Sequence, residues 1–268
     1  MVYLKKIIFS SKQMKKIFFE TKDKIKLCGI LETPLKKTNK CVILAHGITV
    51  NKSENGLHEI LAKKLIEKDI ASFRFDFRAH GESKGKQQDM TIKGELIDLQ
   101  TSYNLISKTF KEISLLGASF GGGIVTLFAK DNKGVVSLCL WNPVLNFKHT
   151  FLNPILPGLV KDVKQMKSDL KKQGWTKLGR KQFKTGKKLY QEMKIFKPYM
   201  EIRKINIPTL IIHGNKDTKV PYQDSFELSK KLLNGKLITI KNAEHGFHEN
   251  WESKIAINET INFFCRYY

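Results

Sequence analysis

Three residues in this chain have the types and the setting for nucleophilic chemistry: Ser119, Asp217 and His245. Each sits where a short apolar run gives way to a turn. Ser119 is the centre of Gly117-Ala118-Ser119-Phe120-Gly121, a Gly-x-Ser-x-Gly pentapeptide. The apolar run Ile113-Ser114-Leu115-Leu116 precedes it, and a helix-like run from Gly122 to Lys130 follows. Strand, tight turn and helix in that order predict a nucleophile elbow, in which the turn strains the serine backbone and glycines let strand and helix pass closely. The hydroxyl then projects from the end of the sheet at the positive end of a helix dipole. Gly and Ser are also ordinary loop residues, so the pentapeptide needs a base, an acid and oxyanion donors elsewhere in the chain.

All three are present in a workable order. Pro208-Thr209-Leu210-Ile211-Ile212-His213-Gly214 reads as a strand that opens into Asn215-Lys216-Asp217. Lys236-Leu237-Ile238-Thr239-Ile240 reads as a last strand, followed by Asn242-Ala243-Glu244-His245-Gly246. The order Ser119, Asp217, His245 is that of α/β-hydrolases. In it, His245 takes the Ser119 proton and returns it to the leaving group, while Asp217 fixes the imidazole tautomer and stabilises its cation. The loop after the early strand Cys41-Val42-Ile43-Leu44-Ala45 places Ile48 as one oxyanion donor through its N–H, and Phe120 is the other, each worth about 3 kcal/mol of barrier. Each position also has a plainer reading. Asp217 lies in good turn chemistry, and Asp76 and Asp224 are weaker candidates for the acid. His248 competes with His245 but lies farther from the strand end. His46 reads as a loop-ordering residue, and His58, His80, His149 and His213 as structural or solvated.

The elements that must hold these residues alternate. Residues 14–20 and 25–32 read as an antiparallel pair at a sheet edge. Strands follow at 41–45, 70–75, 113–117, 135–141, 208–213 and 236–240, with helical stretches near 54–68, 92–108, 122–130, 222–233 and 253–264. Alternation of this kind predicts an α/β fold with a mostly parallel central sheet flanked by helices. The chain has 268 residues, enough for one large domain. The gap between Trp141 and Ile207 breaks the rhythm. It carries four prolines and the amphipathic stretches 159–172 and 183–196. The expected organisation is therefore core at 1–142, a helical cap insertion at 143–204, and core again at 205–268.

The chain resembles the α/β-hydrolase superfamily, in particular the bacterial esterase group of cinnamoyl (feruloyl) esterases and the monoacylglycerol-lipase and serine-aminopeptidase-like hydrolases. The resemblance is carried by His46-Gly-Ile-Thr-Val-Asn-Lys52, Phe73-Arg-Phe-Asp-Phe-Arg-Ala-His-Gly-Glu-Ser83, Gly117-Ala-Ser-Phe-Gly-Gly122, His213-Gly-Asn-Lys-Asp217 and Glu244-His-Gly246. It implies an α/β-hydrolase fold and hydrolysis of carboxylic esters, thioesters, lipids or peptides. Family members often carry His or Gln beside the serine, where this chain has Ala118 and Phe120; an oxyanion donor survives in the Phe120 N–H.

Composition narrows the partners. The formal net charge is +23, and residues 161–204 alone hold 15 Lys or Arg against 4 Asp or Glu, a net +11. Only five of the 48 basic residues are Arg. Lysine spread through every segment argues for composition bias and against a nucleic-acid groove, which favours Arg. A basic cap that attracts anionic substrates or membrane headgroups is the middle reading. No metal-ligand spacing and no phosphate-cradling loop is evident, so no cofactor and no metal are expected. Cys28, Cys41, Cys139 and Cys265 read as buried free thiols, which suits a reducing, cytoplasmic setting. No run approaches a membrane span, and Lys5-Lys6-Ile7-Ile8-Phe9 only imitates a signal peptide. Residues 1–13 read as an extension, with Met14 as an alternative start. The sequence leaves the oligomeric state open, a homodimer included. The expected function is a serine hydrolase acting on a small-molecule carboxylic ester through an acyl-enzyme. The alternatives are a lysophospholipase, monoacylglycerol lipase or thioesterase, and, outside enzymes, a basic-surface binding protein on a hydrolase scaffold.

Overall fold

A computed structural model describes residues 12–179 and 181–268. Its central sheet has eight strands: β1 (Lys12–Glu20), β2 (Lys26–Pro34), β3 (Lys40–Ala45), β4 (Ala71–Asp76), β5 (Glu112–Ala118), β6 (Val135–Trp141), β9 (Thr209–Gly214) and β10 (Gly235–Ile240). They lie side by side in the order β1-β2-β4-β3-β5-β6-β9-β10. β1 and β2 form the expected antiparallel edge pair, and every pairing from β4 to β10 is parallel. Parallel strands need crossovers, which are the helices α1 (Leu57–Ile66), α2 (Ile92–Ile106), α3 (Phe120–Asp131) and α7 (Tyr222–Ser229), with α8 (Asn250–Tyr267) closing the chain.

The strands are apolar almost throughout because both faces of the sheet are covered. Alternate residues feed two separate cores. Ile43, Leu115, Leu140 and Ile211 pack with α2 and α3, while Leu44, Leu116, Trp141 and Ile212 pack with α1 and α8. At about 25 cal/mol per Å² of apolar surface, burial on two faces is the main force holding the central strands. A one-residue slip of any of them would exchange the two cores. Thr91 caps α2 by accepting the Gly94 N–H at 3.0 Å, and Glu249 and Glu252 form a capping box on α8.

Between β6 and β9 lie α4 (Pro157–Lys172), the hairpin β7 (Trp175–Leu178) with β8 (Phe183–Gly186), α5 (Lys187–Glu192) and α6 (Pro198–Glu201). The hairpin is a correction, because residues 183–196 read as one amphipathic piece and instead begin as a strand. Thr185 is buried and bonded to Tyr190, and Phe183 stacks on His80 with ring centroids 4.6 Å apart. Those tertiary contacts override the helical spacing. The Lys184 N–H donates to Gln87 and the Lys93 N–H to Glu192, so the excursion is stitched to the segment before α2 and to the first turn of α2. Cys265 is a second correction: Cys28, Cys41 and Cys139 are buried, but Cys265 lies on the outer face of α8 and is exposed. Residues 5–9 and Arg180 lie outside the described residues. Among those described, no helix is long and apolar enough to cross a membrane.

Candidate active site

Ser119 sits between the end of β5 and the first turn of α3 with φ 49° and ψ −117°, a conformation that costs a residue with a Cβ of order 1–3 kcal/mol. The surroundings over-determine it. The Ser119 N–H donates to the Trp141 carbonyl at 2.8 Å, and the Ser119 carbonyl accepts the N–H of Val144 at 2.8 Å and of Gly122 at 3.0 Å. The flanking glycines have the mechanical role expected of them. A Cβ on Gly117 would meet Val125 and the Gly121 carbonyl, and one on Gly121 would meet the carbonyl oxygens of Ala45 and His46.

Two strand-end loops bring partners to this serine. His245 follows β10 and Asp217 follows β9. Asp217 Oδ2 accepts the His245 Nδ1–H at 2.7 Å, so His245 Nε2 is free to accept the Ser119 hydroxyl proton at 3.1 Å. Asp217 Oδ1 accepts the backbone N–H groups of Lys219 and Val220, both at 2.8 Å, which locks the carboxylate plane. Burial by itself raises the Asp217 carboxyl, but His245 and His213 outweigh it and hold it well below the ordinary carboxylate range. For His245 burial lowers the pKa, Asp217 raises it, Glu54 adds to the rise and Lys219 opposes it; the net shift is upward. The arrangement can strip a proton from Ser119 and keep the resulting charge on a ring bonded to a carboxylate.

The Ile48 N–H lies in the loop after β3 and the Phe120 N–H at the first residue of α3, directly after Ser119, and no described residue accepts a hydrogen bond from either. His46 orders the loop after β3. Its Nε2 accepts the Phe77 N–H at 3.0 Å, so the proton is on Nδ1, which donates to the Gly47 carbonyl at 2.8 Å. Burial pushes the His46 pKa down to about 3, so the ring is neutral and this tautomer is fixed. A small cavity opens beside Ser119 and His245, walled by Leu57, Ala118, Trp141 and Phe247, with Glu54 and Asn142 as its polar groups.

The competing acids lie elsewhere. Asp76 Oδ2 is buried against the Lys52 ammonium at 2.7 Å, and its two oxygens also accept the Lys52 and Glu82 N–H groups. Asp224 pairs with His149 at 2.7 Å on α7. His248 forms no hydrogen bond with the Ser119 or Asp217 side chains, whereas His245 bonds to both. Two neighbours have contacts that the sequence reading did not assign. His213, read as structural or solvated, is structural: it is fully buried, and its Nε2–H donates to Asp217 Oδ2 at 3.1 Å while its Nδ1 accepts from Ser225. Its position four residues before Asp217 was the available signal. Glu54, read only as the start of a helical stretch, accepts the Gly47 N–H at 2.7 Å. Nothing in its sequence neighbourhood marks it.

The profile of a family described as "Serine aminopeptidase, S33" matches residues 36–182, and that of the "Prolyl oligopeptidase family" matches residues 158–268. Over 212 residues the chain is 27% identical to the uncharacterized protein YfhR of Escherichia coli O157:H7, covering 76% of this chain and 62% of that one. The chain thus spans about three-fifths of the length of that curated relative. Among solved structures it is similar to Est1E from Butyrivibrio proteoclasticus with ferulic acid bound, at 24% identity and a TM-score of 0.80, over 94% of this chain and 98% of that one. It is also similar to the Pyrococcus furiosus esterase PF2001, at 21% identity and a TM-score of 0.72, over 96% and 92% of the two chains. At these identities the structural likeness establishes a shared fold.

Proposed function

The chain belongs to the serine aminopeptidase (S33) family of α/β-hydrolases, and from that premise we propose that it cleaves carboxylic esters through an acyl-enzyme formed on Ser119. The observation that carries this reading is the continuous hydrogen-bonded chain from Ser119 Oγ through His245 to Asp217, headed by a serine held at positive φ. Two of the solved structures it resembles are of proteins named as an esterase or shown with ferulic acid bound, which favours an ester over a peptide bond as substrate.

In this mechanism Ser119 Oγ attacks the ester carbonyl as His245 Nε2 takes its proton. The carbonyl π electrons move to oxygen, where the Ile48 and Phe120 N–H groups donate to the oxyanion. The tetrahedral centre collapses, the C–O bond to the alcohol breaks, and the imidazolium gives its proton to the departing oxygen. Water repeats the sequence with His245 as base, releasing the acid and restoring Ser119. Asp217 stays ionised throughout and bears on the imidazolium. Residues 143–204 act as a lid over the entrance: Gly179 lies near Thr49, Phe183 on His80, and Lys181 close enough to act on Glu54 electrostatically.

The test is labelling with a fluorophosphonate followed by peptide mapping, beside a panel of acyl esters of graded length. The probe is expected on Ser119 alone, with turnover of at least one ester class abolished in Ser119→Ala. Unlabelled Ser119, or undiminished turnover in the variant, would overturn the reading.

A further inference from the structure

Glu54 takes no part in the steps above, yet the loop between β3 and α1 is contorted to place it. Glu54, Asn55 and Gly56 follow one another at φ values of 47°, 54° and 94°, a left-handed run that only the glycine accepts without strain. The outcome is a glutamate only 8% exposed whose side chain turns back to the end of β3. Its Oε2 accepts the Gly47 N–H at 2.7 Å. A Cβ on Gly47 would stand 3.1 Å from Ser119 Cβ and 3.6 Å from Glu54 Oε1, so the carboxyl and the serine flank the same glycine. Glu54 also shares the wall of the small cavity with Ser119 and His245. A carboxyl withdrawn from water costs stability unless it is compensated, and the one backbone donor here belongs to the loop that carries Ile48.

We propose that Glu54 is a positioning residue of this site: by holding the Gly47 N–H it fixes one side of Gly47 while His46 fixes the carbonyl on the other, so that the two together aim the Ile48 N–H at the oxyanion, and its negative charge supports the imidazolium on His245. The inference rests on the ester-hydrolase reading. Gly47 has no Cβ and would otherwise rotate freely. It is fixed on both sides, its N–H by Glu54 and its carbonyl by the His46 Nδ1–H. In a trans peptide the C=O and the following N–H point in opposite directions, so anchoring the Gly47 carbonyl sets the direction of the Ile48 N–H.

Among the described residues, the charged groups that face Glu54 are His245, on the loop after β10, and Lys181, in the turn between β7 and β8. Those that face His245 are Asp217, Glu54 and Lys219. Burial raises the Glu54 carboxyl to about 7, against the lowering effect of the Gly47 N–H, His245 and Lys181. Above that pH Glu54 is anionic and favours the charged form of His245. Removing the charge lowers the His245 pKa and moves the acid limb of kcat/KM to lower pH.

Glu54→Gln separates the two roles, since the amide oxygen still accepts from Gly47 while the charge is gone; Glu54→Leu removes both. The experiment measures kcat/KM for p-nitrophenyl butyrate from pH 5 to 9, the His245 imidazole titration by NMR, and Tm. In the Gln variant the acid limb and the His245 midpoint are expected to fall together by about half a pH unit, with plateau kcat/KM lowered severalfold. In the Leu variant kcat is expected to fall about 100-fold, with KM little changed. Unmoved limb and midpoint in Glu54→Gln would overturn the electrostatic role, and wild-type kcat in a folded Glu54→Leu would overturn the clamp. If the Leu variant does not fold, Glu54→Met, which also removes the acceptor while keeping the length of the side chain, tests the clamp in its place, and wild-type kcat in it would overturn that role. Failure of the hydrolase reading shows separately, as no Ser119 labelling and no ester turnover in the wild type, and the NMR midpoint still reports the Glu54 charge.

Discussion

Individual residues carry the sharpest expectations. Ser119→Ala and His245→Ala are expected to lower kcat for a hydrolysed ester by about 10⁴-fold with Tm unchanged; steady-state kinetics with calorimetry on the same preparations checks both. Asp217→Asn is expected to be severe, because an amide cannot serve both His245 and the two backbone donors as a carboxylate does. Asp224→Asn disturbs only the His149 pair and is expected to stay within a few-fold of wild type. Reversal of that order would show that the acid has been misassigned. Much of this was legible in the sequence, because Ser119, Asp217 and His245 each follow a strand, and strand ends are readable from apolar runs. His213 was harder: it closes its own strand and looks like one more core position until its Nε2–H is seen on Asp217. Glu54 was out of reach, since its role comes from three successive left-handed residues that bring it back over Gly47, and no local pattern encodes that return.

At the scale of elements, the elbow and the excursion between β6 and β9 behave differently. The elbow is rigid because β3, β5 and α3 meet with no space for side chains. Gly121→Ala is expected to push α3 off the carbonyls of Ala45 and His46, costing about 1–3 kcal/mol of stability in urea unfolding and most of the ester turnover. The central strands and the helices that cross between them were readable from period and length to within a few residues. The hairpin β7–β8 was not, since β8 is four residues whose pairing is settled by contacts to Tyr190, His80 and Gln87 elsewhere in the chain. The basic charge of this excursion yields a separate expectation. Lys184 lies 4.7 Å over the Trp175 ring, while Lys187 and Lys188 are exposed at the start of α5. If the charge steers substrates, an anionic ester will show a higher kcat/KM than its neutral isostere, and the preference will shrink as the Debye length falls from about 10 Å at 0.1 M salt to about 3 Å at 1 M. Replacing all three lysines with Gln should then weaken the preference and leave the neutral ester untouched. Equal salt dependence for the two esters would assign the selectivity to the aromatic residues instead.

Across the whole molecule, buried titratable groups of opposite sign shape the response to acid. His46, His58 and His80 are pushed down to about 3 by burial. Each contributes stability that is fully present above the unfolded value of about 6.5 and is lost as pH falls toward 3. Glu54, raised to about 7, runs the other way: its contribution is present below about 4.3 and lost as pH rises through 7. Glu95, Asp98 and Asp224 are also raised by burial and share its sign. The two sets offset one another between about pH 6.5 and 4.5. Below pH 4 the histidines act together with Asp217 and Asp23, which are held low in the fold. The unfolding free energy from urea titrations is therefore expected to be nearly level down to about pH 4.5 and to drop steeply below 4. His58→Leu is expected to retain roughly 3 kcal/mol more of its neutral-pH stability at pH 4 than the wild type does, and an equal loss in both proteins would refute the assignment. The order of the parts along the chain bears on synthesis as well. Ser119 and its partner His245 are 126 positions apart, and the strand that delivers His245 lies at the outer edge of the sheet. On the proposed mechanism, a chain growing from the ribosome exposes Ser119 long before His245, so the emerging polypeptide lacks the base that would activate its serine until β10 has docked.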